Sequence, residues 1–259
     1  MVVPPAVAID LDGVIWRSAT PIAGAAEAVE RLQRAGVDVV FVTNNAFPDR
    51  AGHEAKLASM GIDATGAVLS SPMGAAVLLL PGERVLVAGG AGVREAVADA
   101  NAVAVSYEEL DGGAATVTSV VVGFHATFDY EKMRIASTAI RGGARFIATN
   151  DDPTYPTERG EVPGNGAILA GIATASGVRP VIAGKPHGAL AELVRHRCGD
   201  LGLVIGDRAD TDGRFARTLG WEFGLVLSGV TTAEDLPTDP VADVVAADLA
   251  AMADLLLSV

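Results

Sequence analysis

The chain has a single cysteine, Cys198, in 259 residues, which excludes an intramolecular disulfide and any metal site built from several thiolates. Cys198 reads as a packing residue. Basic residues are also scarce: 19 Lys and Arg stand against 32 Asp and Glu, a formal charge of −13. Steering of a polyanion toward such a surface is repulsive, so nucleic acid is not an expected partner. Long apolar runs are missing; stretches such as "AAVLLL" (Ala75 to Leu80) fall far short of the roughly 20 residues of a membrane span. The opening "MVVPPAVAID" has no basic segment followed by a cleavage site, and a cytoplasmic, membrane-free protein is expected. No "GxSxG" nucleophile turn occurs. Histidines number 4, and His53, His187 and His196 lie in helical or helix-entry contexts without metal-ligand spacing, so they are expected to be solvated. "VLVAGGAGVREA" imitates a dinucleotide-binding turn, but Glu95 stands where its last glycine belongs.

With 50% hydrophobic residues, the chain can bury one large core or two smaller ones. Short Val/Ile-rich runs alternate with amphipathic stretches, the pattern of an α/β fold with a largely parallel sheet. "AVAID" reads as a first strand; "AGAAEAVERLQRAG" places Ala25, Val29 and Leu32 on one helical stripe and stops at Gly36. "VDVVFVTNN" is a second strand, followed by a helix that Gly61 closes; "LGLVIGD", "GLVLSG" and "ADVVAA" repeat the buried-strand signature. Between the turn "LPGE" and "GVRPVIAG", the strands "RVLVAGG", "TSVVVGF" and "ARFIATN" form a second set. The expected organisation is a Rossmann-like core of residues 1–81 and 181–259 with an inserted α/β domain, residues 82–180.

Polar residues gather where strands end. Asp10 and Asp12 follow the first strand on alternating positions, so both can face one cleft, and Gly13 allows a tight turn and close backbone approach. Ligands of open α/β sheets bind at the carboxyl ends of strands. "FVTNN" ends in Thr43, Asn44 and Asn45; "IAGKPH" delivers Lys185; "LVIGDRADTDG" delivers Asp207 and Asp212. Clustered carboxylates repel unless a cation joins them, and all-oxygen ligation suits Mg²⁺. Lys185 would meet an anionic substrate group, with Thr43 and the Asn44 amide completing a phosphate cradle. Asp10 could then attack phosphorus as a nucleophile, while Asp12 protonates the leaving oxygen and later activates water.

In this order, "DLDGVIW", "FVTNN", "GKPH" and "IGDRADTDG" resemble the four motifs of the haloacid dehalogenase-like hydrolases, mostly Mg²⁺-dependent phosphatases. The inserted segment looks like the large α/β cap of the subfamily that contains p-nitrophenyl, phosphoglycolate, glycerol 3-phosphate and pyridoxal phosphatases. The resemblance runs from Ala6 to about Val230. It implies Asp10 as nucleophile and metal ligand, Asp12 as acid/base that also ligates through its backbone carbonyl, Asp207 as the third protein ligand, and Asp212 acting mainly through a metal-bound water. Thr43, Asn44 and Asn45 match phosphate-binding positions, and Lys185 the lysine of the third motif. The segment "TNDDPTYPT" (Thr149 to Thr157), dense in turn residues, is similar to the cap segment that covers the site; Tyr155 would then cover the leaving group while Asn150 and Asp152 bond its hydroxyls. Two positions depart from the pattern: Gly213, where a branched apolar residue is usual, and His125, where Asp or Asn is frequent. The first is expected to loosen the helix after it, the second to alter substrate choice.

The expected activity is hydrolysis of a small phosphorylated metabolite, glycerol phosphate or phosphoglycolate first, then sugar phosphates, with pyridoxal phosphate and nucleotides last; p-nitrophenyl phosphate would serve in vitro. A phosphotransferase or mutase is the near alternative. A receiver-like signalling protein also uses a phosphorylated Asp, a Thr and a Lys, but it leaves Asp12 and the insertion without a role. Relatives with such caps include homodimers.

Overall fold

The structure, a computed structural model, describes residues 3–113, 116–157 and 160–258. Glu158 and Arg159 of the segment after Tyr155 lie outside the described residues. Two compact units make up the chain: residues 1–43, 52–69 and 185–259 form the first, and residues 44–51 and 70–184 the second.

The first unit is built on a six-stranded sheet in the order Val244–Ala246, Glu222–Val226, Leu203–Gly206, Ala6–Ile9, Asp38–Thr43, Val68–Ser70. Its described pairings are parallel: Val7 faces Leu203 on one side and Val39 on the other. Ala6–Ile9 is buried at every position because it lies in the middle of the sheet, with both faces covered. The helix Ala25–Arg34 buries Ala25, Ala28, Val29 and Leu32, which is the stripe expected from its periodicity, and turns out through Gly36 at a φ of 82°. These side chains join Ile9, Phe41, Leu203, Ile205 and Met252 in one core. Burying each large aliphatic or aromatic side chain contributes roughly 1.5–3 kcal/mol.

The second unit has its own five-stranded parallel sheet, ordered Val181–Ile182, Arg145–Ala148, Ser119–Val122, Arg84–Ala88, Val103–Val105. Leu86, Val120, Val122, Ile140, Phe146 and Ile172 anchor a separate core. The bounds differ from those expected at 81/82 and 180/181. The helix Ser71–Val77 groups with the second unit, as do residues 44–51, whose Phe47 carbonyl accepts from Gly92 N. At the other junction, Val181 and Ile182 pair with Ile147 and Ala148, so backbone pairing keeps the chain in the second unit until Gly184. Among the described residues, no helix is long and apolar enough to cross a membrane.

Candidate active site

The carboxyl end of the central strand carries Asp10, whose N–H continues the ladder by donating to Ile205 O at 2.8 Å. Its side chain is buried, as are Asp207, Asp212 and Lys185. Lys185 Nζ donates to Asp10 Oδ1 and to Asp212 Oδ1, each at 2.6 Å. Asp207 follows the neighbouring strand Leu203–Gly206; its Oδ2 accepts from Val230 N at 2.6 Å, while its buried Oδ1 has no hydrogen-bond partner among the described residues. One oxygen from each of Asp10, Asp207 and Asp212 lies within 4.8 Å of the others. Asp212 is presented by a π-helical turn, Ala209–Gly213, and its Oδ2 accepts from Arg208 N at 3.2 Å.

Three buried carboxylates around one ammonium set the electrostatics. Burial raises the Asp10 carboxyl well above the usual range, Lys185 pulls it back, and Asp212 and Asp207 raise it further. Asp207 is pushed up to about 7, first by burial and then by Asp212. Burial alone would lower the Lys185 ammonium, but Asp10 and Asp212 outweigh it and hold the proton more firmly than on a free lysine. Removed from water and with one Asp207 oxygen orphaned, the carboxylate set is short of positive charge.

Two glycines make room for Asp207. A Cβ on Gly13 would stand 2.3 Å from Asp207 Oδ2, and Gly13 also has a φ of 83°, which disfavours any other residue. A Cβ on Gly229 would stand 1.9 Å from the same oxygen. The loop that carries Gly229 is tied back by Ser228 Oγ, which donates to Gly13 O at 2.7 Å, and by Arg17, whose Nε donates to Ser228 O. Sequence reasoning placed Gly13 but missed Gly229 and Val230, although a glycine two positions past the buried run "GLVL" was a signal that something approaches closely there.

Asp12 is half-buried and stands outside the carboxylate triangle: Trp16 Nε1 donates to its Oδ1 at 2.8 Å. Thr43 ends its strand buried in the first unit. Lys185 does not extend a strand of the core sheet as expected; it comes three residues after Ile182, which belongs to the second unit's sheet. The departure at Gly213 has a packing reason, since a Cβ there would lie 2.9 Å from both the Phe223 ring and Pro240; the helix Arg214–Leu219 follows directly from it.

The remaining expected site residues lie in the second unit. Asn44 Nδ2 donates to the Asp152 carboxylate at 3.1 and 3.3 Å. Asn45 Oδ1 accepts from Phe47 N at 3.1 Å. Asn150 is buried, donating to Asn44 O at 2.6 Å and accepting from Asp152 N, so its amide is used to hold backbone. The segment expected as a loop becomes regular sooner: Thr154–Thr157 pairs antiparallel with Gly160–Pro163, placing Tyr155 opposite Val162, and the Tyr155 ring stacks on Phe124 at 6.3 Å. His125 is buried between Gly123 O, 2.9 Å from Nδ1, and the Tyr107 hydroxyl, 3.5 Å from Nε2; burial lowers its basicity. His53, expected to be solvated, is also buried, because that face of the helix Arg50–Ser59 turns inward with Leu57. His187 is half-buried, His196 is exposed and Cys198 is half-buried.

Comparison with known proteins agrees with this fold. Residues 7–102 match the family model of haloacid dehalogenase-like hydrolases, and residues 182–252 match a second model of hydrolases of that type. The chain is 40% identical over 233 residues to the D-glycerol 3-phosphate phosphatase of Mycobacterium tuberculosis; the match takes in 88% of this chain but 64% of that protein. It is 36% identical to the 5'-nucleotidase YutF of Bacillus subtilis, over 89% of this chain and 90% of the relative. A crystal structure of a glycerol phosphate phosphatase from Mycobacterium tuberculosis in complex with magnesium superposes with a TM-score of 0.87 at 34% identity, over 95% of this chain and 76% of that one. The chain belongs to the haloacid dehalogenase-like hydrolase family, among its phosphatases.

Proposed function

We propose that the protein is a Mg²⁺-dependent phosphomonoester hydrolase that passes the phosphoryl group of a small metabolite to Asp10 and then to water. The observation that carries this reading is the buried cluster of Asp10, Asp207 and Asp212, with Lys185 bridging two of them and Asp207 Oδ1 unpaired. Such a set of hard oxygen donors, short of positive charge, fits a divalent cation. Asp10 and Asp207 would hold it, helped by the Asp12 carbonyl and with Asp212 supporting, and when bound it would supply charge neutralisation and polarisation of a phosphoryl oxygen.

The chain's own groups then divide the work. An Asp10 carboxylate oxygen attacks phosphorus as the bond to the leaving oxygen breaks, and Asp12 gives that oxygen its proton. In the second step, Asp12 takes a proton from water, the hydroxyl attacks the phosphoryl group, and the Asp10 carboxylate departs with its electron pair. Lys185 offsets charge on both the substrate and the carboxylates. Thr43 supplies a hydroxyl for a phosphate oxygen; Asn44 and Asn45 hold their phosphate role from the motif alone. The second unit, with Asn150, Asp152 and Tyr155, is proposed to read the leaving group. Glycerol phosphate or phosphoglycolate is favoured as substrate because a relative at 40% identity is named for glycerol 3-phosphate, while the nucleotidase makes nucleotides the main competitor.

The test is phosphate release from glycerol 3-phosphate, phosphoglycolate, 5'-nucleotides and p-nitrophenyl phosphate. EDTA should abolish turnover and Mg²⁺ restore it, and Asp10→Asn should lower kcat by at least about 10³-fold, since an amide cannot form the acyl phosphate. Full activity after exhaustive chelation, or an Asp10→Asn enzyme within tenfold of wild type, would overturn the mechanism. Phosphate appearing on a second metabolite instead of water would identify a phosphotransferase.

A further inference from the structure

The side chain of Asp12 makes one hydrogen bond among the described residues, and it comes from a residue with no chemistry of its own to contribute. Trp16 lies at the end of the turn that leaves the central strand. That turn is closed on itself: Gly13 N donates to Trp16 O at 2.7 Å, and Ile15 N and Trp16 N donate to Leu11 O at 2.9 and 3.3 Å. The indole is buried, with Trp16 paired to Pro21 in a short hairpin, so its Nε1–H has a fixed direction. It points at Asp12 Oδ1, 2.8 Å away. The face of the indole is covered in turn. Lys56, from the helix Arg50–Ser59, places Nζ 3.7 Å from the centroid of the Trp16 ring and donates at 3.2 Å to the carbonyl of Ser18, a residue with a φ of 54°.

We propose that Trp16 is a positioning residue for Asp12: the indole N–H fixes one carboxylate oxygen so that the other is presented for proton transfer, and Lys56 clamps the ring by a cation–π contact. This rests on the reading of Asp12 as the acid/base. The arrangement follows from chemistry available at that spot. An aspartate on a turn has a freely rotating carboxyl, and a proton donor displaced by an ångström loses much of its effect. A tryptophan supplies a rigid ring with one donor and no acceptor, so it can hold a carboxylate without competing for its proton. Lys56 contributes a charge over the ring and a second tie to the hairpin through Ser18 O.

The test separates positioning from packing by leaving-group demand and by a double-mutant cycle. Alkyl phosphates such as glycerol 3-phosphate need a proton on the departing oxygen; p-nitrophenyl phosphate needs little help. Wild type, Trp16→Phe, Asp12→Asn and the double variant are assayed on both, with thermal unfolding recorded for each. Trp16→Phe leaves an aromatic face under Lys56, though a smaller one, and removes the N–H. It should lower kcat for glycerol 3-phosphate about tenfold more than for p-nitrophenyl phosphate, a fraction of the 10²–10⁴ that general acid catalysis supplies. In the Asp12→Asn background the same change should alter neither rate by more than about twofold, because the group it orients is gone. Lys56→Met should lean the same way less strongly, and Lys56→Arg should restore wild-type behaviour.

Equal losses on both substrates, or losses that persist undiminished in the Asp12→Asn background, assign Trp16 to packing and overturn the inference. An Asp12→Asn enzyme that itself fails to discriminate the two substrates removes the acid reading and the inference with it, and is distinguishable because the failure then lies in Asp12 rather than in Trp16.

Discussion

Replacing Lys185 by methionine removes the cation buried against Asp10 and Asp212 while keeping most of the stem that fills its slot. Each of the two 2.6 Å bonds is charge-assisted, a class that contributes about 1.5–3 kcal/mol, and breaking a buried pair by deleting one partner costs about 3–5 kcal/mol. The loss has an upper limit because Asp10, already raised by burial, can take a proton. This gives the effect a pH signature. In wild type the Lys185 contribution is present below the ordinary lysine range and is lost only as pH rises through its raised value, so it is constant between pH 5 and 8. In Lys185→Met, Asp10 is no longer pulled back by the ammonium, and its buried carboxyl holds a proton in the native state that the unfolded state has released. Stability of the variant therefore falls with rising pH more steeply than that of wild type, whose Asp10 and Asp207 already tilt the curve that way. Urea unfolding in EDTA should show a destabilisation of about 3–5 kcal/mol at pH 8, smaller by about 1–2 kcal/mol at pH 5.5. Adding Asp212→Asn should recover at least half of the loss by removing the stranded charge. A loss below 1 kcal/mol at pH 8, or one that neither changes with pH nor responds to Asp212→Asn, would refute the reasoning.

Gly229→Ala puts a Cβ 1.9 Å from Asp207 Oδ2, so the carboxylate must move; Mg²⁺ affinity measured by calorimetry should fall about 10-fold or more, and an unchanged affinity would show that Asp207 is not a ligand. Glu83, within the second unit, accepts from Leu80 N, Ser119 Oγ and Arg145, which together outweigh its burial and hold its carboxyl at about 2. Its contribution is complete above the ordinary glutamate value and is lost as pH falls through about 2; Glu83→Gln should therefore cost about 1–2 kcal/mol at pH 7, given the exposure of Arg145, and progressively less in acid unfolding. Tyr155→Ala should redistribute kcat/KM among phosphorylated metabolites by about 10-fold if that ring contacts the leaving group, and a parallel change for every substrate would remove it as a reader of specificity.

Much of this molecule is legible from its sequence because strand and helix periods are local. "AVAID" and "VDVVFVT" read as buried parallel strands, and they lie side by side in the sheet with Val7 against Val39. The helix stripe of Ala25, Val29 and Leu32, the stop at Gly36 and the positive φ of Gly13 are likewise written in residue type and spacing. Placing Asp10 and Asp207 after strands was enough to suggest a shared carboxylate site, since parallel strands point their carboxyl ends the same way.

What only the tertiary structure decided depends on groups far apart in the chain. Lys185 lies 175 residues from Asp10, yet it bonds both Asp10 and Asp212, a pairing no local pattern encodes. The cradle of Asp207 is completed by Val230 and by the absence of a side chain at Gly229, and the meaning of that glycine exists only once a carboxylate is packed against it. His53 reads as polar surface but is buried, because helix rotation is set by what packs beneath it. Val181 and Ile182 read as the return to the first unit, but backbone hydrogen bonding to the strand Arg145–Ala148 keeps them in the second. Residue type and period determine which elements form and which chemistry each strand end carries; long-range packing decides which atoms meet, because contact energies act between neighbours in space and not in sequence.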